Sequence, residues 1–330
     1  MIYVLTDKDE LKYSYVEFIK KQRINYKDWY CPIIKHVYHA SYNGRLNSGI
    51  CGEMLNLTQL KPWWELENID FNNENYNCNF LRKSCFCGTD INVVKAKDKE
   101  THDRFVKLIL SDNVNNCELA NETDVIIALG RPQSLDTFEL HINYGKKCNF
   151  DCSYCSTAIH DNFSAFLSLD KAEHLFKLFC DVEAQNKKLT ITGGEPMISK
   201  EIFKLVELAQ KYSYGSITVN SNGSASLNRY RRLLNSGVKL YISFHEEFST
   251  DKQIENIFKL YSSYPMQMSV KLLGNKDTDN DFYKRVKNIF GEKFDQLPFF
   301  PIYVNRFTKI VNNIEEVKEY YKNYPEQRNL

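Results

Sequence analysis

The rhythm of apolar and polar positions changes near residue 122. Downstream of it, short apolar runs alternate with amphipathic stretches. FELHIN (138–143), KLTITG (188–193), SITVNS (216–221), KLYISFH (239–245), QMSVKLL (267–273) and FFPIYV (299–304) are predicted strands. Helical spacing predicts helices over about 169–186, 200–213, 227–236, 250–263 and 280–291, and a last one over Asn313–Tyr324 that caps the sheet or packs on a smaller domain. Strands with apolar residues on both faces, each followed by a helix, imply parallel βαβ units wound right-handedly. Six such units fall short of the eight in a closed barrel. The expected fold class is α/β, a partial (β/α)6 TIM-type barrel or an open sheet, with a small cysteine-rich N-terminal α+β domain.

The upstream texture is different. Residues 1–30 read as a helical lead-in, with Leu11, Tyr15, Phe18 and Ile19 at helical spacing. From Trp29 to about Asp90 cysteines, aromatics and turn residues dominate. Asn43-Gly44, between VYHASY and RLNSGIC, signals a two-residue hairpin. The Asn- and Glu-rich stretch 67–77 reads as a surface loop, 97–111 as a helix and 112–121 as an Asn-rich linker. The expected domains are therefore 1–121 and 122–330.

Charge changes this picture little but excludes some partners. The 43 basic and 42 acidic residues leave a formal charge of +1, which argues against a broad nucleic-acid surface or an anionic membrane as partner. No apolar run of about 18 residues suggests a membrane span. The start, MIYVLTDKDELKYSYVEF, has no continuous apolar stretch of the secretory kind, so the expected location is the cytoplasm.

Ten cysteines in a reducing compartment then call for metal or thiol chemistry in place of disulfides. Eight fall in two groups: Cys31, Cys51, Cys78, Cys85 and Cys87, then Cys148, Cys152 and Cys155. The second group, in YGKKCNFDCSYCSTA, directly follows the first downstream strand. In a parallel α/β fold that loop opens at the carboxyl end of the sheet, where active sites lie. Three thiolates within eight residues can ligate three irons of a cubane, which leaves the fourth iron open to a small molecule. One βα unit later the chain reads Thr192-Gly193-Gly194-Glu195-Pro196, and the next strand ends in Asn220-Ser221-Asn222-Gly223. Paired glycines at a strand end allow close backbone approach to a ligand.

Together these motifs resemble the radical S-adenosylmethionine (SAM) superfamily, whose signature is CxxxCxxC followed by GGEP. The resemblance covers about 136–305. It implies a 4Fe–4S cluster on Cys148, Cys152 and Cys155, with SAM bound at the open iron. Its amino group would be met by the Gly193-Gly194 carbonyls and Glu195, with Pro196 fixing the backbone beyond. Tyr154 fits the aromatic position near adenine, Ser221 and Asn222 the TNG-type turn, and Ser243 a ribose contact. The implied activity is reductive cleavage of SAM to a 5′-deoxyadenosyl radical that takes hydrogen from an organic substrate, either a peptide or a small metabolite. A flavodoxin or ferredoxin would supply the electron.

The upstream group, cysteine–hairpin–cysteine followed by a CxC pair, resembles the SPASM/twitch auxiliary domains of that superfamily, which hold further 4Fe–4S clusters. Such domains usually follow the barrel, and this one precedes it. The favoured ligands are Cys31, Cys51, Cys85 and Cys87, with Cys78 as the alternative fourth; zinc suits the same thiols. Cys117 and Cys180 read as ordinary thiols, the latter within a helix. His245-Glu246-Glu247 follows the fourth strand and offers substrate binding or proton transfer, or a plain polar loop. Trp63-Trp64 reads as local core, and Phe299, Phe300 and Tyr303 as strand core. The alternative to an enzyme is a non-catalytic iron–sulfur or zinc binding protein.

Overall fold

The computed structural model of the chain describes residues 2–5, 10–13, 30, 37–48, 62–69, 94–95, 98–103, 125–128, 137–155, 160–273, 280–300, 302–304, 309–311 and 314–324. Two compact units emerge, Met1–Leu140 with Lys177–Lys187, and His141–Phe176 with Lys188–Leu330. Among the described residues no helix is long and apolar enough to cross a membrane.

In the first unit, β1 (Ile2–Leu5), β2 (Glu10–Tyr13), β3 (Val37–Ser41), β4 (Leu46–Ser48), β5 (Val94–Lys95) and β6 (Val125–Ala128) form antiparallel pairs. Four of them make one sheet, in the order β2-β1-β6-β5. This corrects the helical reading of residues 1–30 at 2–5 and 10–13. Ile2-Tyr3-Val4-Leu5 is a β-branched and aromatic run whose pairing partner, Val125–Ala128, lies too far along the chain for local spacing to reveal. The rest of that reading, including Tyr15, Phe18 and Ile19, lies outside the described residues, as does the linker 112–121.

The hairpin at Asn43-Gly44 is present, with a loop one residue longer than expected. Ser41 N–H donates to the Arg45 carbonyl at 2.8 Å, and Gly44 N–H donates to Ser41 O at 3.0 Å. Tyr42, Asn43 and Gly44 thus form the loop, with Gly44 at φ 93° supplying the left-handed residue that a three-residue hairpin uses. Trp63 is fully buried beside it and donates its indole N–H to Ser41 O at 2.9 Å, so it is local core.

The second unit holds the βα alternation. From β7 (Thr137–Asn143), whose last three residues belong here, the order runs through β8 (Asn186–Thr192), β9 (Ser216–Ser221), β10 (Lys239–Phe244) and β11 (Met268–Leu273) to β12 (Phe299–Phe300). Pairing is parallel from β8 to β12. The helices are α1 (Leu169–Leu178), α2 (Ile202–Lys211), α3 (Leu227–Asn235), α4 (Asp251–Ser263), α5 (Asp281–Phe290) and α6 (Ile314–Asn323). This is a mixed α/β fold on a mostly parallel sheet.

Two boundaries differ from the sequence reading. The helix expected over 169–186 ends at Leu178, and no glycine or proline between 178 and 187 marks the stop. Cys180 therefore lies past the helix, exposed. The last strand divides. Phe299–Phe300 pairs with β11, whereas β13 (Ile302–Val304) pairs antiparallel with β14 (Lys309–Val311) in a sheet of two. Pro301 between them has no N–H for a ladder.

Along β8–β11 burial alternates. Leu189, Ile191, Ile217, Val219, Leu240, Ile242, Phe244, Val270 and Leu272 are buried on one face. The other face carries half-buried Thr190, Thr192, Thr218, Asn220, Tyr241, Ser243 and Lys271. One face is the apolar core, and the other is a polar floor that leads to the carboxyl ends of the strands.

Candidate functional site

The loops that follow β7, β8, β9 and β10 meet at one edge of the sheet. The cysteine loop is fixed by its backbone before any ligand is considered. Cys148 N–H donates to Asp161 O at 2.7 Å, and Asp161 N–H to Lys146 O at 3.1 Å. On its other side, Gly194 N–H donates to Gly145 O at 2.7 Å and Glu195 N–H to Lys147 O at 2.8 Å.

The two glycines are needed for that contact. A Cβ on Gly193, at φ 134°, would sit 2.5 Å from the Gly145 carbonyl oxygen. One on Gly194 would press into the carbonyls of Lys146 and Lys147. The expectation that these glycines make room for a ligand is thus refined: the backbone they admit is that of the cysteine loop.

Cys152 is buried, and Cys148 and Cys155 are half-buried. Burial pushes all three thiols up, Cys155 to about 11; the charge of Glu195 adds to this at Cys148, and neighbouring cysteines and Glu247 add to it at Cys152 and Cys155. Among the described residues, no three acidic, histidine or cysteine side chains converge on a point that a single metal ion would occupy. A cubane places each thiolate on its own iron, so it needs no such point, and its positive charge is what desolvated thiols require to ionise. The donor set fits an iron–sulfur cluster. For a polar ligand beside it, Asn143 Oδ1 is buried with no hydrogen-bond partner among the described residues. It lies 3.0 Å from where a Gly193 Cβ would be.

Glu195 is held by three donors from its own loop and the next. Its carboxylate is fully buried, with Oε1 accepting from Met197 N–H and Ser221 Oγ, both at 2.9 Å, and Oε2 from Asn222 N–H at 2.6 Å. In this arrangement it ties the loop after β8 to the loop after β9. Burial outweighs the three donors and raises its pKa to about 7. Pro196 opens the short turn Pro196–Ile198 that Glu195 caps.

Ser221 and Asn222 are buried as well. Ser221 Oγ also shares a hydrogen bond with Tyr230 Oη at 2.7 Å. Asn222 Nδ2 donates to Asn149 Oδ1 at 3.0 Å and reaches Cys148 Sγ at 3.9 Å.

His245, after β10, touches the cysteines directly. Its Nδ1 lies 3.3 Å from Cys152 Sγ and against the Tyr154 hydroxyl. Burial, reinforced by the charge of Lys271, lowers its pKa to about 4, so the ring is neutral near pH 7. Glu247 Oε2 accepts from Ser153 N–H at 2.8 Å and thereby caps the cysteine loop. Glu246 Oε1 accepts from Asn280 Nδ2 at 2.6 Å, while Oε2 is buried with no partner among the described residues. Of this tripeptide, two members therefore brace the cysteine loop and the third has an oxygen to offer.

Tyr154 stacks on His245, ring centroids 6.0 Å apart, and packs on the cluster of Ile302, Val311, Ile314, Val317 and Tyr320. The last helix, α6, and the β13–β14 hairpin thus meet the cysteine loop at Tyr154. Ser243 sits on the polar floor, paired in register with Lys271. The sequence reading missed Asn149, Phe150 and Tyr230. Phe150 stacks on Phe248 with centroids 5.0 Å apart, and no local pattern announces any of the three. Cys31, Cys51, Cys78, Cys85, Cys87 and Cys117 lie outside the described residues.

Residues 142–289 match the Radical SAM superfamily, a class that implies a 4Fe–4S cluster and SAM. The GTP 3′,8-cyclase of Campylobacter lari is 31% identical over 103 residues, 30% of this chain and 32% of that protein. That of Brucella abortus (strain S19) is 30% identical over 135 residues, 38% of this chain and 37% of that protein. Together these matches indicate an enzyme. The chain spans about a third of the length of these cyclases. A solved structure, native anSMEcpe with bound AdoMet, aligns over 49% of this chain and 50% of that one at 21% identity, with a TM-score of 0.40.

Proposed function

We propose that Cys148, Cys152 and Cys155 hold a 4Fe–4S cluster at which SAM is reductively cleaved, on a partial (β/α)6 barrel formed within 122–330. The observation that carries this is the loop itself: three thiols, one buried and two half-buried, pinned between the Gly193-Gly194 backbone and the 160–161 segment, at the carboxyl edge of a parallel sheet. When bound, cluster and SAM supply a 5′-deoxyadenosyl radical able to take hydrogen from an unactivated C–H bond.

The chain's own residues would do the placing. Glu195 and Asn222 lock the loop, and His245 and Tyr154, the latter packed on α6, back its far side. Gly193, Gly194 and Asn143 are the groups we assign to the amino acid end of SAM, and Ser243 the one we assign to its ribose; the unpartnered Asn143 Oδ1 beside Gly193 supports the first.

The substrate reading we favour is a small polar metabolite, with a purine nucleotide as its first candidate. The polar floor of Thr190, Thr218, Asn220, Tyr241 and Lys271 offers hydrogen bonds and a cation, and the cyclase relatives are named for a nucleotide. Incubating anaerobic, reduced protein with SAM and GTP, followed by mass spectrometry, tests it. GTP consumed in step with 5′-deoxyadenosine supports the nucleotide, and GTP recovered intact removes it.

An auxiliary cluster on four of Cys31, Cys51, Cys78, Cys85 and Cys87, within 1–121, completes the proposal, with a flavodoxin or ferredoxin as the one-electron donor. About eight irons per chain would support two clusters. About four irons and one zinc would leave the main cluster alone.

A further inference from the structure

With Cys148 taken as a cluster ligand, as above, we propose that Glu195 and Asn222 are positioning residues. Glu195 fixes the Asn222 backbone, Asn222 turns its amide N–H toward the Cys148 sulfur, and this contact raises the reduction potential of the bound cluster. The chemistry starts from which atoms are left with no choice. Asn222 is 6% exposed, and its N–H is held by Glu195 Oε2 at 2.6 Å. Its side-chain oxygen accepts from Ser224 N–H at 3.0 Å. A flipped amide would set NH2 against that N–H, so the orientation is determined. Nδ2 is then left to donate to Asn149 Oδ1 at 3.0 Å and toward Cys148 Sγ at 3.9 Å. Glu195 is held in turn by Met197 N–H and by Ser221 Oγ, which Tyr230 Oη supports.

Cys148 also receives Phe150 N–H at 3.4 Å and lies near Asn149 N–H, so its sulfur faces three N–H donors, of which Asn222 supplies the one from another loop. Reduction adds a negative charge to the cluster, and donors aimed at a ligating sulfur stabilise the reduced form more than the oxidised one. Losing a donor therefore lowers the potential. Nothing in this sequence of contacts requires Glu195 to touch SAM, and its effect on the cluster runs through Asn222.

The test is an anaerobic redox titration of the reconstituted protein, without SAM, followed by electron paramagnetic resonance and with iron counted per chain. Asn222→Leu keeps the bulk and removes the donor. At a fixed poise its ratio of reduced to oxidised cluster should fall roughly tenfold, which is 59 mV for a one-electron couple. Glu195→Gln, which presents NH2 to a site built for donors, should shift the same way though it touches no sulfur. If Asn222→Leu fails to hold iron, Asn222→Asp keeps the shape and the Ser224 contact, and should lower the midpoint too. Full iron with the parent midpoint in the Asn222 variants overturns the proposal and leaves the cluster reading standing. A parent chain that binds no iron overturns the cluster reading, and this one with it.

Discussion

At the scale of single residues, backbone approach and burial dominate the site. Gly194→Ala would force a methyl group between the Lys146 and Lys147 carbonyls. Overpacking of this kind costs about 1–3 kcal/mol, so chemical unfolding should show a loss of that size and the iron content should fall. Gly215→Ala meets nothing within 4 Å and serves as the neutral control. Glu195 makes a pH prediction with a definite sign. Its folded pKa of about 7 lies above the 4.5 of an ordinary glutamate, so its protonated form favours the fold. That contribution is full below about 4.5 and is lost as pH rises through about 7, an effect of about 3 kcal/mol. His245, held neutral in the fold, adds a slope of the opposite sign to parent and variant alike, so the expected effect lies in their difference. The stability of the iron-free parent relative to Glu195→Gln, from urea unfolding, should fall as pH rises from about 4.5 to about 7. Equal slopes would assign the pH dependence to other groups. The cysteines and the GGEP segment could be read from the chain because their spacing is itself the chemistry. The direction of the Glu195 carboxylate could not, since it is set by Ser221 and Asn222, which come from another loop.

At the scale of elements, the strands β8–β11 were legible to within two residues because each is an apolar run followed by an amphipathic helix. Helix α4 carries its own start signal: Thr250 Oγ1 accepts from Gln253 N–H at 3.3 Å, and the Gln253 side chain accepts from Thr250 N–H at 2.9 Å. Thr250→Ala removes half of this capping box and should cost about 1 kcal/mol of stability while leaving the iron content unchanged. Strands β1 and β2 escaped the sequence reading for the opposite reason. Four residues hold too little periodicity to separate strand from helix, and β1, which pairs with β2, takes its other partner from Val125–Ala128. The division at Pro301 was present in the sequence but masked by the apolar run on either side of it.

At the scale of the whole molecule, the account is that four loops and a C-terminal helix assemble around three thiols so that SAM can be cleaved beside them. Unrelated loops contribute to the one cysteine segment: Gly194 and Glu195 by backbone, Asn222 by its amide, His245 and Glu247 from β10, and α6 through Tyr154. The most direct measurement is the yield of 5′-deoxyadenosine when reconstituted protein is reduced with dithionite in the presence of SAM and no substrate. The parent should release it slowly, and Cys152→Ala should release none. No product from an iron-replete parent, or equal product from Cys152→Ala, would contradict the account.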